Sequence, residues 1–462
     1  MKQLRALGVA YALSIISGAV LAAPGDLDTT FNGTGYSIIN TPSNAAPDNT
    51  QDYGHALTLD SSGNIIVAGN SADFASSDFM LARFTSAGLP DPTFGGGDGF
   101  IVDDFSGFGD TAYGVAVDGS GNIAVTGRVN LRFGVLDFGI ALYDSSGNLN
   151  PAFNGTGRVT IDSGTANDEG DDIAFDSAGR IVAAGDLNGN MAVVRYNLDG
   201  TPDNSFAGTG QAIAQPGDAE AMVIDSAGRI VVAGRQGNNF ILISRFNDNG
   251  TLDGSFGSGG NLSINLGGTN ARADSVTVDS SNRIIVAGNA NPGSGAQFYA
   301  ARFNTDGTLD TSFNGTGYHI VDISAGFDSA YAVEVTSTGE IVIAGNAGSN
   351  TGIVSFNADG TLNTDFATGG IANVDKTGTG QQDWSNDMVL DSSDRIVTAG
   401  QFFITGPRYG LFAARFEPAV SAPPPPPAAE AVSLPASSLV SILLMGTLLL
   451  LGGCFGLRRK RI

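Results

Sequence analysis

The sequence predicts an all-β fold, a seven-bladed β-propeller made of four-stranded repeats. Three observations lead to this prediction. An apolar run that ends in glycine occurs seven times, a segment of the type Leu-Asp-x-x-Phe recurs with the same period, and the chain holds 66 glycines and 27 phenylalanines. Short strands and tight turns in repeats of about 50 residues are typical of propeller blades, whereas solenoid rungs are usually shorter.

Two recurring residues set the period of the repeat. The glycines that end the apolar runs recur at a nearly constant spacing: Gly69, Gly127, Gly185, Gly234, Gly288, Gly345 and Gly400. The phenylalanines of the second segment are Phe31, Phe94, Phe153, Phe206, Phe256, Phe313 and Phe366. Each repeat therefore has the length of one supersecondary unit that must pack against its neighbours.

The first repeat predicts four strands, at Tyr36–Ile39, His55–Leu59, Asn64–Gly69 and Phe79–Phe84. The second strand alternates large and small residues, and the third is a continuous β-branched run, as expected of a fully buried strand. The turn between them opens with a short polar residue: Asp60, Asp118, Asp176, Asp225, Asp279, Thr336 or Asp391. Three residues later comes Gly, Asn or Asp, the residue types that tolerate a left-handed backbone.

Arginine and aspartate recur together in the fourth strand and the segment after it. An aspartate follows the arginine by eight residues in four repeats: Arg83 and Asp91, Arg195 and Asp203, Arg245 and Asp253, Arg302 and Asp310. Where Leu142 or Ser355 replaces the arginine, Asn150 or Asn363 replaces the aspartate. Because an unpaired, partly buried charge is costly, the joint loss predicts an ion pair across a turn.

Two residues of this pattern have no partner within their own repeat. Asp28 lies at the start of the repeats with no arginine before it, and Arg415 lies at their end with no aspartate after it. An open solenoid would leave both unmatched. A closed ring pairs them, so the sequence predicts an Arg415–Asp28 ion pair that closes the propeller.

The two ends of the chain predict an extracytoplasmic protein. Residues 1–23 have the basic start, apolar run and small residues of a secretory signal peptide, and an uncleaved anchor is the alternative. The seven-repeat propeller, 24–418, precedes a Pro/Ala/Ser-rich spacer at 419–438. A transmembrane or sorting helix follows at 439–457, and the basic residues at 458–462 predict a cytoplasmic tail.

The repeated motifs resemble those of the bacterial delta-60 repeat family, whose members are secreted or surface β-propellers. Thr308-Leu309-Asp310-Thr311-Ser312-Phe313 and the run Asp225–Gly234 carry the resemblance, which covers about residues 25 to 417. The family implies no general activity. Ser433-Leu434-Pro435-Ala436, the apolar run and Arg458–Arg461 resemble an exosortase-type sorting tail without its Pro-Glu-Pro signature. A permanent type I membrane anchor is the alternative.

The charge of the chain restricts its partners. The net charge is −24, and six of the 22 basic residues lie at the two ends. Such a surface repels phosphate backbones, which argues against nucleic acid and leaves an extracellular glycan, a protein or a cation as partner. The sole cysteine, Cys454, lies in the C-terminal apolar run, so the body has no disulfide. We expect a monomeric propeller with a membrane contact only through its C-terminal helix.

The sequence predicts no catalytic residue and no cofactor site. It shows no nucleophile, zinc, P-loop or dinucleotide motif, and His55 and His319 lie at different strand positions. Asn304–Asp310 mimics a calcium loop but lacks the distal glutamate, so it is interpreted as a hairpin turn. An aspartate also precedes the second strand in five repeats, either capping a turn or forming a cation-binding ring that would make calcium a ligand. These residues are Asp52, Asp110, Asp168, Asp328 and Asp383.

Two departures from the repeat are candidate ligand contacts. Asp168-Glu169 and Asp171-Asp172 form an acidic cluster, and Trp384, the only tryptophan, stands beside Asp383. A tryptophan over carboxylates can stack a sugar or a cation. We expect a non-catalytic envelope or surface propeller that acts in binding, adhesion or scaffolding. The alternative is a polysaccharide lyase or hydrolase with a carboxylate site on one propeller face, for which non-repeated charged residues should cluster in one pocket.

Overall fold

The computed structural model describes residues 22–419, except 42–49, 73–75, 106, 133, 165–166, 267, 294, 377, 379 and 407. These residues belong to one compact unit, Met1–Val420. They form 28 strands and one 3₁₀ turn, Gly95–Gly97. The strands are β1 (Tyr36–Ile39), β2 (Gln51–Leu59), β3 (Ile65–Ala72), β4 (Ser77–Phe84), β5 (Phe100–Asp103), β6 (Thr111–Val117), β7 (Ile123–Arg132), β8 (Val135–Tyr143), β9 (Arg158–Ile161), β10 (Glu169–Phe175), β11 (Ile181–Leu187), β12 (Asn190–Tyr196), β13 (Gln211–Pro216), β14 (Asp218–Ile224), β15 (Ile230–Gln236), β16 (Phe240–Phe246), β17 (Asn261–Ile264), β18 (Thr269–Val278), β19 (Ile284–Asn291), β20 (Gln297–Phe303), β21 (Tyr318–Val321), β22 (Asp328–Val335), β23 (Ile341–Ala347), β24 (Asn350–Phe356), β25 (Ile371–Val374), β26 (Asp383–Leu390), β27 (Ile396–Thr405) and β28 (Arg408–Phe416).

The strands form antiparallel four-stranded units. Five sheets have four strands each, in the orders β6-β7-β8-β9, β10-β11-β12-β13, β14-β15-β16-β17, β18-β19-β20-β21 and β22-β23-β24-β25. A sixth sheet of eight strands has the order β26-β27-β28-β2-β3-β4-β5, with β1 paired to β28. One parallel pair, Gln51 with Tyr409, joins its two halves. The predicted all-β fold is confirmed.

The four strands of one sequence repeat do not share one sheet. Strand β1 has the predicted bounds, but it pairs with β28, and β5 from the second repeat completes the sheet of β2, β3 and β4. The physical reason is the long connection through the Phe31 or Phe94 segment, which carries the chain to the outer edge of the preceding sheet. The grouping of Tyr36–Ile39 with the next three strands in one blade was therefore wrong.

The core lies between neighbouring sheets, as in a β-propeller. The strand that opens each unit (β2, β6, β10, β14, β18, β22 and β26; the inner strands) packs against the inner strand of the next, and β26 packs against β2. Buried clusters fill the spaces between sheets; one of them joins Leu57, Val67 and Met80 to Val397 and Leu411. The continuous apolar runs of the third predicted strands are buried on both faces for this reason.

The predicted Arg–Asp pairs are all formed, and each arginine also binds the next unit. Arg302 donates to Asp310 at 2.8 Å, to Ser312 at 3.1 Å and to the carbonyl of Ala358 at 2.6 Å, and its guanidinium lies over Phe313. The corresponding ion pairs are Arg83–Asp91, Arg195–Asp203 and Arg245–Asp253. A buried arginine with this many partners ties three segments together.

The pair that spans the two ends of the repeats is formed as well. Arg415 Nε donates to Asp28 Oδ2 at 2.7 Å, and its other nitrogens reach the carbonyl of Ser86 at 2.7 Å and Thr30 at 3.1 Å. Its guanidinium carbon lies 5.0 Å from the centre of the Phe31 ring, as that of Arg83 lies 4.8 Å from Phe94. The predicted closure of the first repeat against the last is confirmed.

The predicted segments at the two ends lie largely outside the described residues. These are the signal peptide up to residue 21, the spacer from residue 420, the helix at 439–457 and the basic tail. Among the residues that the structure does describe, no helix is long and apolar enough to cross a membrane.

Candidate functional site

Every inner strand carries a β-bulge at the same place. In β2 the pairing register shifts between Gly54 and Ala56, so His55 has no partner on β3, and the other inner strands shift likewise. We call the seven extra residues the bulge ring: His55, Tyr113, Asp171, Glu220, Asp274, Tyr331 and Asn386. A bulge re-aims a side chain and is often found beside a functional site.

The recurring glycine of the third predicted strand is required by this bulge. A Cβ atom on Gly69 would overlap the backbone carbonyl oxygen of Tyr53, which the bulge brings against it. The same overlap with a carbonyl oxygen occurs at the other six recurring glycines. Every bulge-ring residue precedes its glycine by the same interval in the sequence, as His55 precedes Gly69. Each unit therefore repeats the bulge together with the glycine that makes room for it.

The bulge ring lines a central cavity of about 790 Å³. Residues two positions earlier on the inner strands also line it, among them Glu169, Arg272 and Trp384. Phe327, whose surface is 77% exposed, stands among the lining residues. Because the backbone of the ring is repeated while these side chains are not, the cavity wall is where the repeats differ chemically.

Carboxyl groups dominate one side of the cavity. Oxygen atoms of Glu169, Asp171 and Asp186 all lie within 4.8 Å of one another. Burial raises the pKa of Asp171 well above its ordinary value, and the nearby Glu169 carboxylate raises it further. Burial likewise raises the pKa of Asp186 to about 7. Asp186 therefore titrates near neutral pH, and Asp171 holds its proton more strongly than an ordinary carboxyl group.

One guanidinium and several rings complete the lining. Arg272 Nε binds Asp274 Oδ1 at 2.7 Å, and its guanidinium lies 5.8 Å from the centre of the Tyr331 ring. His55 Nε2 lies 2.9 Å from Asn70 Oδ1, and burial lowers the pKa of His55 against the effect of that bond. The indole N–H of Trp384 donates to the carbonyl of Gly348 at 3.1 Å, which fixes the ring beside the cavity.

Some of the cavity carboxyl groups have a structural task. Asp172 accepts the N–H of Met222 at 2.7 Å, and Asp387 accepts the N–H of Leu57 at 2.8 Å. Both bonds join one inner strand to the next, and the second joins the last unit to the first. Burial raises the pKa of Asp172 to about 6 and that of Asp387 to about 8, although these backbone bonds oppose the shift.

The aspartate column lies at the start of the inner strands, either within the first two residues of the strand or directly before it. Its five members are fully buried, and each accepts a backbone N–H from the segment that leads into its inner strand. Asp328 accepts the N–H groups of Ile323 and Ser324 at 2.8 and 3.0 Å, and Asp168 accepts those of Ser163 and Asn188. These are the contacts that the turn-capping interpretation expects, because each carboxylate accepts hydrogen bonds from backbone N–H groups that are buried away from water.

The other candidate residues separate into structural and cavity groups. In the acidic cluster, Glu169 and Asp171 line the cavity, while Asp168 and Asp172 bind backbone. Asn304–Asp310 is a hairpin turn, in which Asp306 accepts both donors of Thr308. His319 lies on an outer strand and binds the carbonyl of Gly360, away from the cavity lining.

Sequence reasoning found Trp384 and part of the acidic cluster but missed the bulge ring. Glu220, Asp274 and Arg272 come from two further strands and meet the cluster only in the folded chain. The signal that could have found them is the constant interval between these positions and the recurring glycine. The repeats differ in size and charge at the bulge position and two residues before it, whereas the residue between these two positions is Gly, Ala or Ser in every repeat.

Comparison with protein families supports the repeat assignment. Five segments, 61–94, 179–206, 228–256, 280–313 and 336–366, match a family model described as a domain of unknown function (DUF5122) β-propeller. Each matched segment ends at a recurring phenylalanine. The repeats are β-propeller repeats. The matched family is of the delta-60 repeat type, which agrees with the resemblance found in the motifs. No protein with a curated description matches the chain.

Solved structures that are similar to this chain have low sequence identity to it. A catalytically inactive virginiamycin B lyase from Staphylococcus aureus with quinupristin has a TM-score of 0.49 and 10% identity, over 82% of this chain and 99% of that one. YCF48 from Cyanidioschyzon merolae has 0.46 and 11%, over 83% and 99%. A protein of unknown function from Bacteroides caccae has 0.40 and 12%, over 69% and 96%. Likeness at this level carries no argument about activity.

Proposed function

We propose that this protein is a non-catalytic, seven-bladed propeller of the cell envelope that binds an amine-bearing ligand in its central cavity. The observation that carries the proposal is the cavity lining: among the described residues it contains the carboxyl groups of Glu169, Asp171, Glu220 and Asp274 but one guanidinium, that of Arg272. Carboxylates held close together in a partly dehydrated site gain when a cation neutralises their mutual repulsion. An ammonium group on a polar ligand, such as an amino sugar, has the required charge.

Seven blades are supported by the number of strands and by the closure. The 28 strands fall into units of four, with β1 serving as the last strand of the unit that begins with β26. Closure of a ring by a strand from the other end of the chain protects the edges that an open row of sheets would expose.

The envelope location rests on the two ends of the sequence, residues 1–23 and 439–462. We infer from these segments a signal peptide, a C-terminal apolar helix and a basic tail, which together would hold the propeller outside the cytoplasmic membrane, either anchored or sorted further. Protease added to spheroplasts should degrade the propeller and spare Arg458–Arg461. A propeller that is protected in intact spheroplasts would end the envelope proposal.

The ligand preference follows from charge and shape together. The side chains of Glu169 and Glu220 line the cavity, and neither carboxyl group makes a hydrogen bond to another described residue, so both are available to a ligand. Trp384, Tyr113 and Tyr331 supply flat faces against which a sugar ring or a cation can lie. An amino sugar oligomer uses both features, whereas its N-acetylated form loses the charge.

The test compares oligomers of glucosamine and of N-acetylglucosamine of equal length by calorimetry. We expect the glucosamine oligomer to bind and Glu220→Gln to weaken it at least about tenfold, because a charge-assisted hydrogen bond contributes about 1.5–3 kcal/mol. The control, Asp98→Asn, removes an exposed charge away from the cavity lining and should leave binding unchanged. Equal binding of both oligomers, or equal binding by Glu220→Gln, would refute the proposal.

A second candidate is a glycan-cleaving lyase or hydrolase, which the acidic group at Glu169, Asp171 and Asp186 favours. Asp186, with a pKa of about 7, lies beside the carboxyl groups of Glu169 and Asp171, and two neighbouring carboxyl groups are what acid–base cleavage of glycosidic bonds uses. Incubation with acidic and neutral polysaccharides should release oligosaccharides in this case, and Asp171→Asn should abolish the release. Binding without any product favours the binding module.

A further inference from the structure

The buried side chain of Asp137 lies at the junction between the sheet of β6–β9 and the sheet of β10–β13. Asp137 is fully buried on β8, and neither of its carboxylate oxygens has a hydrogen-bond partner among the described residues. A buried carboxyl group without a partner costs several kcal/mol when it is ionised. Such a group in a natural fold calls for a ligand or a proton.

Two further carboxyl groups converge on Asp137. One oxygen each of Asp137, Asp162 and Asp168 lies within 4.8 Å of the other two. Asp162 follows β9 directly, and Asp168 precedes β10, so three separate segments contribute. Asp168 Oδ1 and Oδ2 are held by Ser163 and Asn188, which fixes the position of its carboxylate. Asp162 Oδ2 contacts the exposed side chain of Arg132 at 2.5 Å.

We propose that Asp137, Asp162 and Asp168 form a calcium site at this junction. Calcium takes six to eight oxygen ligands in adaptable geometry, which three carboxylates can begin and water can complete. The ion would satisfy the oxygens of Asp137 and tie the end of one sheet to the start of the next. The side chain of Arg132 is largely exposed, so it can move aside when the ion binds.

Another junction of the same molecule buries a lysine close to the two equivalent aspartates. Asp375 follows β25 as Asp162 follows β9, and Asp383 begins β26 at the position of Asp168. Asn350 pairs with the residue two positions after the recurring glycine of its unit, and Asp137 pairs with the corresponding residue of its own unit. A neutral side chain therefore occupies the position of Asp137 in this junction. There Lys376, the only lysine of the body, is buried and donates to the carbonyl of Asp383 at 3.0 Å.

The comparison explains why the site is confined to particular junctions. Where two carboxylates and an asparagine occupy the junction, the ammonium group of a lysine from the chain is sufficient to balance the negative charge. With three carboxylates, the junction needs a cation of higher charge. The junction of Asp78, Asp104 and Asp110 repeats the three-carboxylate arrangement one unit earlier. Asp322 and Asp328 occupy the Asp162 and Asp168 positions in another junction, where Gln297 replaces the third carboxylate.

The experiment measures calcium binding and thermal stability of the purified, chelator-treated protein. Calcium chloride should raise the melting temperature of the wild type, since an ion that binds only the folded state stabilises it by mass action. Asp137→Asn should bind one calcium ion fewer per chain by calorimetry. In chelator it should melt at or above the wild-type temperature, because the unpartnered carboxyl group is gone. The matched control, Asp322→Asn, should retain the wild-type stoichiometry.

Other outcomes decide against the site. Asp137→Asn with wild-type calcium stoichiometry shows that any bound calcium lies elsewhere, for example at Glu169, Asp171 and Asp186. A wild-type protein that binds no calcium in the millimolar range refutes the proposal directly. If Asp137→Asn does not fold, Asp162→Asn, which changes an exposed side chain, replaces it and must lose the same single ion.

Discussion

The ion pair between Arg415 and Asp28 is the most direct test of how the propeller closes. Both residues are buried, with 6% and 2% of their surfaces exposed. Asp28→Asn leaves the Arg415 guanidinium with the Ser86 carbonyl and the Thr30 hydroxyl but without its counter-charge. Removing one partner of a buried ion pair costs about 3–5 kcal/mol, because the remaining charge stays out of water.

The double variant separates the lost attraction from the unmatched charge. Asp28→Asn combined with Arg415→Leu copies the natural Leu142 and Asn150 of another repeat, which form a neutral junction. We expect the double variant to recover at least about 1 kcal/mol relative to Asp28→Asn alone, because no charge is then left unmatched. Urea unfolding followed through the fluorescence of Trp384 measures the free energy of unfolding.

The pair Arg302 and Asp310 is a matched control within the chain. Asp310 also receives a second arginine, Arg283, at 3.0 Å, as Asp28 receives Arg395 at 3.2 Å. Asp310→Asn should therefore cost as much as Asp28→Asn. If Asp28→Asn cost no more than an ordinary surface substitution while Asp310→Asn cost several kcal/mol, the closure would be refuted. A double variant no more stable than Asp28→Asn would refute the unmatched-charge reasoning.

Two further predictions concern an inner strand and the strand that pairs with it. Burial raises the pKa of Glu334 to about 7 from 4.5. The protonated side chain therefore contributes stability that is fully present below pH 4.5 and is lost as the pH rises through 7. Glu334→Gln should flatten this decline in the free energy of unfolding by about 2 kcal/mol between pH 5 and 8, as measured by urea unfolding. Gly345→Ala should cost about 2 kcal/mol or more, because its Cβ would overlap the carbonyl oxygen of Ser329, whereas Gly119→Ala, with open space around it, should stay within about 0.5 kcal/mol. Equal melting of these two glycine variants would contradict the role given to the bulge.

The repeat pattern was sufficient to predict the fold class, because each of its turns, strands and ion pairs involves residues that are close in sequence or recur at a fixed spacing. The turn at Asp60 and Gly63 forms as expected: Asp60 accepts the N–H of Ser62, and Gly63 has a φ of 74°. The members of each Arg–Asp pair lie close together in the chain, so the sequence contains both partners and their joint loss. The long-range pair of Arg415 and Asp28 could also be predicted, because it has the same residues as the local pairs of the other repeats. Its two members lie at opposite ends of the repeats and meet when the propeller closes.

Only the tertiary structure decided which sheet receives each outer strand and which side chains share the cavity. Strand β1 joins β28 through a pairing that no local pattern specifies. Glu169, Glu220 and Asp274 lie on three different inner strands and line one cavity only in the folded chain. The same holds for Asp137, whose environment depends on two segments from the adjoining junction. Sequence alone determines what repeats, because backbone hydrogen bonds and burial impose the same demands in every unit. The residues that differ between units acquire chemistry from neighbours on other strands, and packing alone supplies those neighbours.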